Sequence, residues 1–428
     1  MAKQIKTYKS RLILDSRGFP TVRVELFLSN GFCVGANAPS GASTGIYEAL
    51  EKRDGGSAWQ GKGVGNVLKD LEEVVIPEVL NMDPRDQKGI DDILIQLDGT
   101  FQKSKFGANC LLPLSMAMCR AGASLENVEL FEWISSISNL KPSLPIPTMN
   151  VLNGGAHANN NLDVQEFMVV PWVKGDFINS LRAGVEIYHE LKSLIKKKNM
   201  SIALGDEGGF APNLNSNLSA LDLLAESISN SEYNLGKNMF LALDVASSEL
   251  LNEKLNSPKG FSMYQWEDDL ISPEKLTSIY EDWIGKYPII SIEDGIGEED
   301  LDGWVHMNSR LGNRINIVGD DLLVTQVEKI EMAIKKKLCN TLLVKLNQVG
   351  TVTETINAIK KVKSVGWDWS VSHRSGETED DFISDLAVGT GSKYIKTGAP
   401  ARGERTSKYN RLISIFSDFQ DLEFQNIE

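Results

Sequence analysis

Asp244, Glu293, Asp320, Lys345, His373 and Lys396 each close a short apolar run. The runs are MFLALD (239–244), IISIED (289–294), INIVGDD (315–321), TLLVKLN (341–347), WSVSHRS (369–375) and KYIKTG (393–398). Three carboxylates at the ends of neighbouring strands repel one another, and keeping them ionised in a partly dry crevice is costly without a cation. All-oxygen ligands with no clustered Cys or His select a hard ion, Mg2+ before Mn2+ or Ca2+. A single such carboxylate reads as readily as a helix cap or a partner for a surface lysine; three in register point to metal. Lys345, in the apolar setting LLVKLN, could have its pKa lowered beside a cation and act as a general base. An ion pair with the acidic cluster has equal standing on local sequence. Lys396 reads as an anion clamp. Arg374 and Ser375 offer a bidentate fork, a hydroxyl and backbone N–H groups to phosphate or carboxylate.

These groups need a frame. The six residues stand 49, 27, 25, 28 and 23 positions apart, and all but the first interval match one strand plus one crossover helix. Two earlier runs, PTMNVLN (147–153) and QEFMVV (165–170), bring the strands to eight. Apolar strands with charge at their C-terminal ends are what a (β/α)8-type barrel needs, because its chemistry sits on that face. The first two strands are too close for a crossover helix and should pair antiparallel. A doubly wound open sheet is the alternative. Ahead of the barrel, 4–14, 21–28 and FCVGANAP read as strands, and 64–80 and 108–133 as helices. KPSLPIP (141–147) is the best linker, since its prolines cannot sit inside a helix. This divides the chain into an N-terminal α+β domain (1–135) and a barrel (136–428). Segment 178–195 carries a helical stripe of Ile178, Leu181, Val185, Tyr188, Leu191 and Ile195, ending in a solvated lysine triplet at 196–198.

The net charge of −14 argues against a nucleic-acid backbone as partner. No run approaches the ~18 apolar residues of a membrane span, and no signal peptide is visible at the start. The four cysteines have irregular spacing and read as buried free thiols of a reducing compartment, so a cytoplasmic location is expected. His189 and His306 fall in helix-like segments and read as structural. Three glycine-rich loops remain: SGASTG (40–45), NGGAHA (153–158) and GDEGGF (205–210). They suit mobile lids or close backbone approach to a ligand, or are ordinary turns.

The chain resembles the enolase family over nearly its whole length. The resemblance rests on ILDSRG, PSGASTG, EALEKRDGG, GKGV, KSKFGAN, NGGAHANNNLDVQEFM, GDEGGFAPNL, ALDVASSE, SIEDG, VGDDL, LLVKLNQVGT, VSHRSGETED, IKTGAP and ERTSKYN, in that order. It implies a barrel of ββαα(βα)6 order with an N-terminal α+β cap domain. It also implies reversible dehydration of 2-phosphoglycerate to phosphoenolpyruvate with two Mg2+ per active site. By the same resemblance, Asp244, Glu293 and Asp320 would bind the first Mg2+, and Ser43 the second. Lys345 would take the C2 proton; Glu207, kept protonated and assisted by Glu166, would expel the C3 hydroxyl. Arg374 and Ser375 would hold phosphate, Lys396 the carboxylate, and His157, Gln165 and His373 would close around the substrate. A homodimer is implied, in some bacteria assembled further into an octamer. Departures from the family pattern are DSRGFP for DSRGNP, Gln102 for Asn, Cys110 for Ala, Pro113-Leu114 for Gly-Val, Tyr394 for a smaller polar residue, and a divergent 248–269. They leave two alternatives, a paralogue acting on a phosphonate or carboxyphosphono substrate and a non-catalytic binding protein on the same scaffold.

Overall fold

In a computed structural model, which describes residues 4–41, 45–251 and 262–427, the chain begins with a hairpin. Strands β1 (Ile5–Leu14) and β2 (Pro20–Leu28) pair antiparallel, with Leu14 opposite Pro20. Asp15 Oδ1 accepts from the backbone N–H of Arg17 and Phe19, both at 2.9 Å, and Gly18 takes the positive φ the turn needs. Strand β3 (Cys33–Asn37) completes a three-stranded sheet. Val22, Val24, Leu26 and Leu28 all face inward from β2, as a half-buried strand requires, against the helix Ala108–Glu126. That helix runs unbroken through Pro113. It ends where Asn127 turns left-handed, and a new helix, Leu130–Ser138, starts with a capping box between Glu129 and Glu132. The single helix expected over 108–133 is therefore two. A further helix, Gln87–Asp98, was not singled out in the sequence.

The eight expected strands close into a barrel. They are β4 (Ile146–Asn153), β5 (Glu166–Pro171), β6 (Met239–Asp244), β9 (Ile289–Glu293), β10 (Asn316–Gly319), β11 (Thr341–Val344), β12 (Asp368–Ser372) and β13 (Tyr394–Lys396). Between β6 and β9 lies a short hairpin of β7 (Tyr264–Trp266) and β8 (Asp269–Ile271). β4–β5 and β5–β6 are antiparallel and the other six pairings are parallel, which is the ββαα(βα)6 order. Most strand residues are buried on both faces, which is why they read as continuous apolar runs. Asp176, Ser216, Ser272, Asp300 and Thr351 each cap a helix start by accepting from a backbone N–H three residues on.

Some expectations shift. On helix Phe177–Lys197 the buried face is Phe177, Leu181, Tyr188, Leu191 and Ile195, whereas Ile178 points outward. Cys33 is exposed, while Cys110, Cys119 and Cys339 are buried thiols. Tyr394 fits because its ring lies buried and its hydroxyl is 3.3 Å from Asn316 Oδ1. Gln102 donates to the carbonyls of Ile46 (2.9 Å) and Glu48 (3.2 Å). Much of the divergent 248–269 segment lies outside the described residues. Among the described residues no helix is long and apolar enough to cross a membrane.

Candidate active site

Strand order alone sorts the chemistry around the barrel mouth. Going round the ring, β11 leads to Lys345, β12 to His373, Arg374 and Ser375, and β13 ends in Lys396. Next come Asn150 on β4, Glu166 on β5, Asp244 on β6, Glu293 on β9 and Asp320 after β10. β5 runs against its neighbours, so its first residue, not its last, reaches the mouth, directly opposite Asp244 in register. Four strand steps separate β11 from β5, so Lys345 and Glu166 stand on facing walls. Metal-type carboxylates fill one side between them, and cationic anion clamps fill the other.

Lys396 Nζ lies 2.8 Å from Asp244, 2.8 Å from Glu293 and 3.1 Å from Glu166. Lys345 Nζ is paired with Asp320, whose other oxygen accepts from Gln348 Nε2 at 2.8 Å. Among the described residues, two sets of potential ligand groups have atoms all within 4.8 Å of one another, His157/Glu166/Glu207 and Asp294/Asp320/Asp321. Neither is the expected set. Asp244 and Glu293 share the Lys396 ammonium, whereas Asp320 pairs with Lys345. The ion pair of Lys345 with the acidic cluster, one of its two readings, is the arrangement seen. Burial disfavours its charge, but the adjacent Asp320 outweighs that and holds it above the usual lysine range.

The donor set nevertheless fits a hard divalent cation. Carboxylates outnumber ammonium groups here, and Arg374 is already committed to Glu48 at 2.8 Å. Burial, then the nearest carboxylate, push Glu166, Glu293, Asp294 and Asp321 well above the ordinary carboxylate range. Carboxylate oxygens crowded at such cost are what a Mg2+ site supplies. Ser43 lies outside the described residues; beside it, Ser40 and Gly376 exchange backbone hydrogen bonds of 2.7 and 2.8 Å.

The acid wall is built from two loops. His157 Nδ1 is 3.9 Å from Glu166 and 3.8 Å from Glu207. Glu207 accepts from Asn150 Nδ2 at 3.0 Å and faces His373 Nε2 at 3.4 Å. Burial pulls His373 down to about 3, so the ring is neutral. Glu207 itself is held well below the carboxylate range: burial opposes its charge, but His373, His157 and Arg405 outweigh it. The two carboxyls are close enough to titrate as a pair, with burial and then Glu207 pushing Glu166 upward. Gly398, at φ +78°, permits the close approach, because a Cβ there would lie 2.8 Å from the Glu207 carbonyl. Gln165 Nε2 is 3.5 Å from Asp244. Among the described residues, His157 Nδ1, Gln165 Oε1, Glu166 Oε2 and His373 Nε2 find no hydrogen-bond partner, though all are buried and line one mouth.

Several residues here carried no assigned role in the sequence. Asp294 and Asp321 were visible as acidic doublets, and Asn150 as a polar residue in an apolar strand. Glu48, Gln348 and Arg405 fall inside EALEKRDGG, LLVKLNQVGT and ERTSKYN, which carried the resemblance without giving these three a role. His189 and His306 lie on helices away from the mouth, as read. A groove of about 1080 Å³ between the domains, lined by Phe101, Lys103, Gln326 and Glu354, is far larger than the roughly 30 Å³ left at the mouth. The concentration of acid–base groups lies at the mouth.

A closed barrel with ammonium groups, buried carboxylates and a neutral imidazole at one end defines an enzyme of proton-transfer chemistry. Two family models match the chain: the N-terminal domain of enolase over residues 5–134, and the enolase C-terminal TIM barrel domain over 141–424. "Enolase 2" of Methanospirillum hungatei JF-1 is 48% identical over 416 residues, covering 97% of this chain and 96% of that protein. "Enolase" of Bdellovibrio bacteriovorus is 48% identical over 410 residues, covering 96% and 95%. The chain belongs to the enolase family of hydro-lyases, the phosphopyruvate hydratases.

Proposed function

We propose that the enzyme reversibly dehydrates 2-phosphoglycerate to phosphoenolpyruvate, with Lys345 as base at C2 and Glu207 as acid at the C3 hydroxyl. One observation carries the assignment: the lysine and the Glu166/Glu207 pair occupy opposite walls of one mouth, four strands apart. A substrate lying between them presents its C2 proton to one wall and its C3 hydroxyl to the other. Asp244, Glu293 and Asp320 would hold one Mg2+, and Ser43 would contribute to a second. Bound ions supply positive charge to the substrate carboxylate, where negative charge grows as C2 is deprotonated.

Lys345 would take the C2 proton on the β11 wall in its neutral form, after releasing to solvent the proton that Asp320 stabilises here. Lys396 binds the substrate carboxylate and supports the charge that develops there. Arg374 and Ser375 hold the phosphate; Glu48 and Asn347, at 2.8 and 3.1 Å, fix the direction of the Arg374 fork. Hydroxide is a poor leaving group, so the proton shared by Glu166 and Glu207 is delivered to it through Glu207. His157, Gln165 and His373 surround the substrate and exclude water. The working form is a cytoplasmic homodimer on this reading.

The direct test follows phosphoenolpyruvate formation from 2-phosphoglycerate by ultraviolet absorbance, with and without Mg2+. Metal-dependent turnover is expected. Its absence overturns the proposal.

A further inference from the structure

Arg405 sits on the helix Gly403–Asp418 with no exposed surface. Among the described residues its guanidinium has no carboxylate within hydrogen-bond reach; the Glu404 carboxylate lies 3.6 Å from Nε. The charge is spent on loop backbone and one imidazole. Nη1 donates to the Arg374 carbonyl at 2.6 Å and meets His373 Nδ1 at 2.6 Å. Nη2 donates to the carbonyls of Ser375 (2.7 Å) and Asp206 (3.2 Å). Asp206 immediately precedes Glu207, so one side chain ties the loop bearing the acid to the loop bearing His373 and the phosphate clamp.

Arginine has donors only. The 2.6 Å contact therefore requires His373 Nδ1 to offer its lone pair, which leaves the ring proton on Nε2. That nitrogen faces Glu207 Oε1 at 3.4 Å. We propose that Arg405 is a positioning residue for the dehydration: it locks His373 as a neutral Nε2–H donor aimed at the acid. The charged groups acting on His373 are Glu207, Arg405 and Lys396. With Nδ1 occupied and two cations nearby, the imidazole cannot take up a proton in competition with the Glu166/Glu207 pair. Lysine could not replace this arrangement, because a point ammonium lacks the planar fork that reaches three carbonyls and a ring nitrogen together. The role in catalysis rests on Glu207 being the acid; the tautomer assignment does not.

The test uses the full-length protein with 15N-labelled histidine and long-range proton–nitrogen correlation spectra, His373 being assigned by comparison with His373→Asn. In the wild type, His373 is expected to carry its proton on Nε2 and not to titrate between pH 8 and 5. In Arg405→Gln and Arg405→Lys the Nδ1–H tautomer is expected to appear. Loss of the cation in Arg405→Gln should move the His373 titration upward from its wild-type position, with burial still holding it below the ordinary ~6.5. The acid limb of the kcat profile should move upward in these variants, with kcat about 10²-fold lower at neutral pH and KM changed less. Arg405→Lys keeps the buried charge if Arg405→Gln fails to fold, and the wild-type spectrum is informative alone. An Nδ1–H tautomer or titration near 6.5 in the wild type, or an unchanged His373 signal in a folded variant, would overturn the proposal. Because the spectra need no substrate, failure of the wild type to form phosphoenolpyruvate would count against the functional reading and leave the tautomer result standing.

Discussion

Asp244 and Glu293 stand opposite each other on adjacent parallel strands, and the Lys396 ammonium lies 2.8 Å from both. A single buried cation thus neutralises two carboxylates expected to ligate a metal. Lys396→Met should lower stability by about 3–5 kcal/mol in the absence of divalent ions, because the carboxylates are left buried and unpaired. Added Mg2+ should then raise the melting temperature more in the variant than in the wild type. Calorimetry with and without Mg2+ checks this; equal rises in both proteins would show that Lys396 and the cation do not compete.

The facing walls make separable demands. Lys345→Ala should abolish exchange of the C2 proton of 2-phosphoglycerate with solvent deuterium, and Glu207→Gln should retain exchange while turnover falls by about 10²–10⁴. Proton NMR in deuterium oxide reports both. Exchange that persists in Lys345→Ala would move the base elsewhere.

Glu48 reaches from the N-terminal domain to Arg374, and Gln348 Nε2 joins it at 3.2 Å. Glu48→Gln should keep the shape but remove the charge that aims the guanidinium. KM for 2-phosphoglycerate is expected to rise at least tenfold with a smaller change in kcat. Steady-state kinetics would sink this if KM stayed constant.

Arg120 of the N-terminal domain binds Asp380 through bonds of 2.8 and 2.9 Å. Burial opposes the Asp380 charge, but Arg120 outweighs it, so its folded pKa lies below the ordinary ~3.9. A depressed carboxylate contributes stability that is complete above the unfolded pKa and lost as pH falls through the folded one. The contribution should therefore be intact at pH 7 and fade below about pH 4. Arg120→Ala should cost about 3 kcal/mol at pH 7 and start acid unfolding at higher pH. Urea titrations at pH 7 and at a pH well below ~4 measure it; equal losses at both would contradict the linkage.

What could be read from sequence was what each strand carries itself. Burial on both faces makes β4, β6 and β9–β13 continuous apolar runs, and a charge at the run's end marks the mouth. Glu207 was legible only through its loop motif. Glu48–Arg374, Arg120–Asp380 and Arg405–His373 were not legible, because such pairs join distant parts of the chain and leave no period or turn signal. Even the direction of the Lys345 shift was beyond local sequence, since it depends on how closely Asp320 approaches. The break at Asn127 was missed because the helical pattern continues across one left-handed residue.

Pro171 and Met239 are partners at the barrel floor, and Trp172 N–H bonds the Asn238 carbonyl at 3.0 Å beside them. The chain between them leaves the floor, delivers Glu207 to the mouth and returns. Lys345, Lys396, Asp244, Glu293 and Asp320 are indexed to strand register; Glu207, the proposed acid, rides on an excursion whose two ends are pinned together. The acid's position is thus set twice, by the pinned ends of its excursion and by the barrel groups that hold it, Asn150 on β4 and the Ala399 N–H just beyond β13.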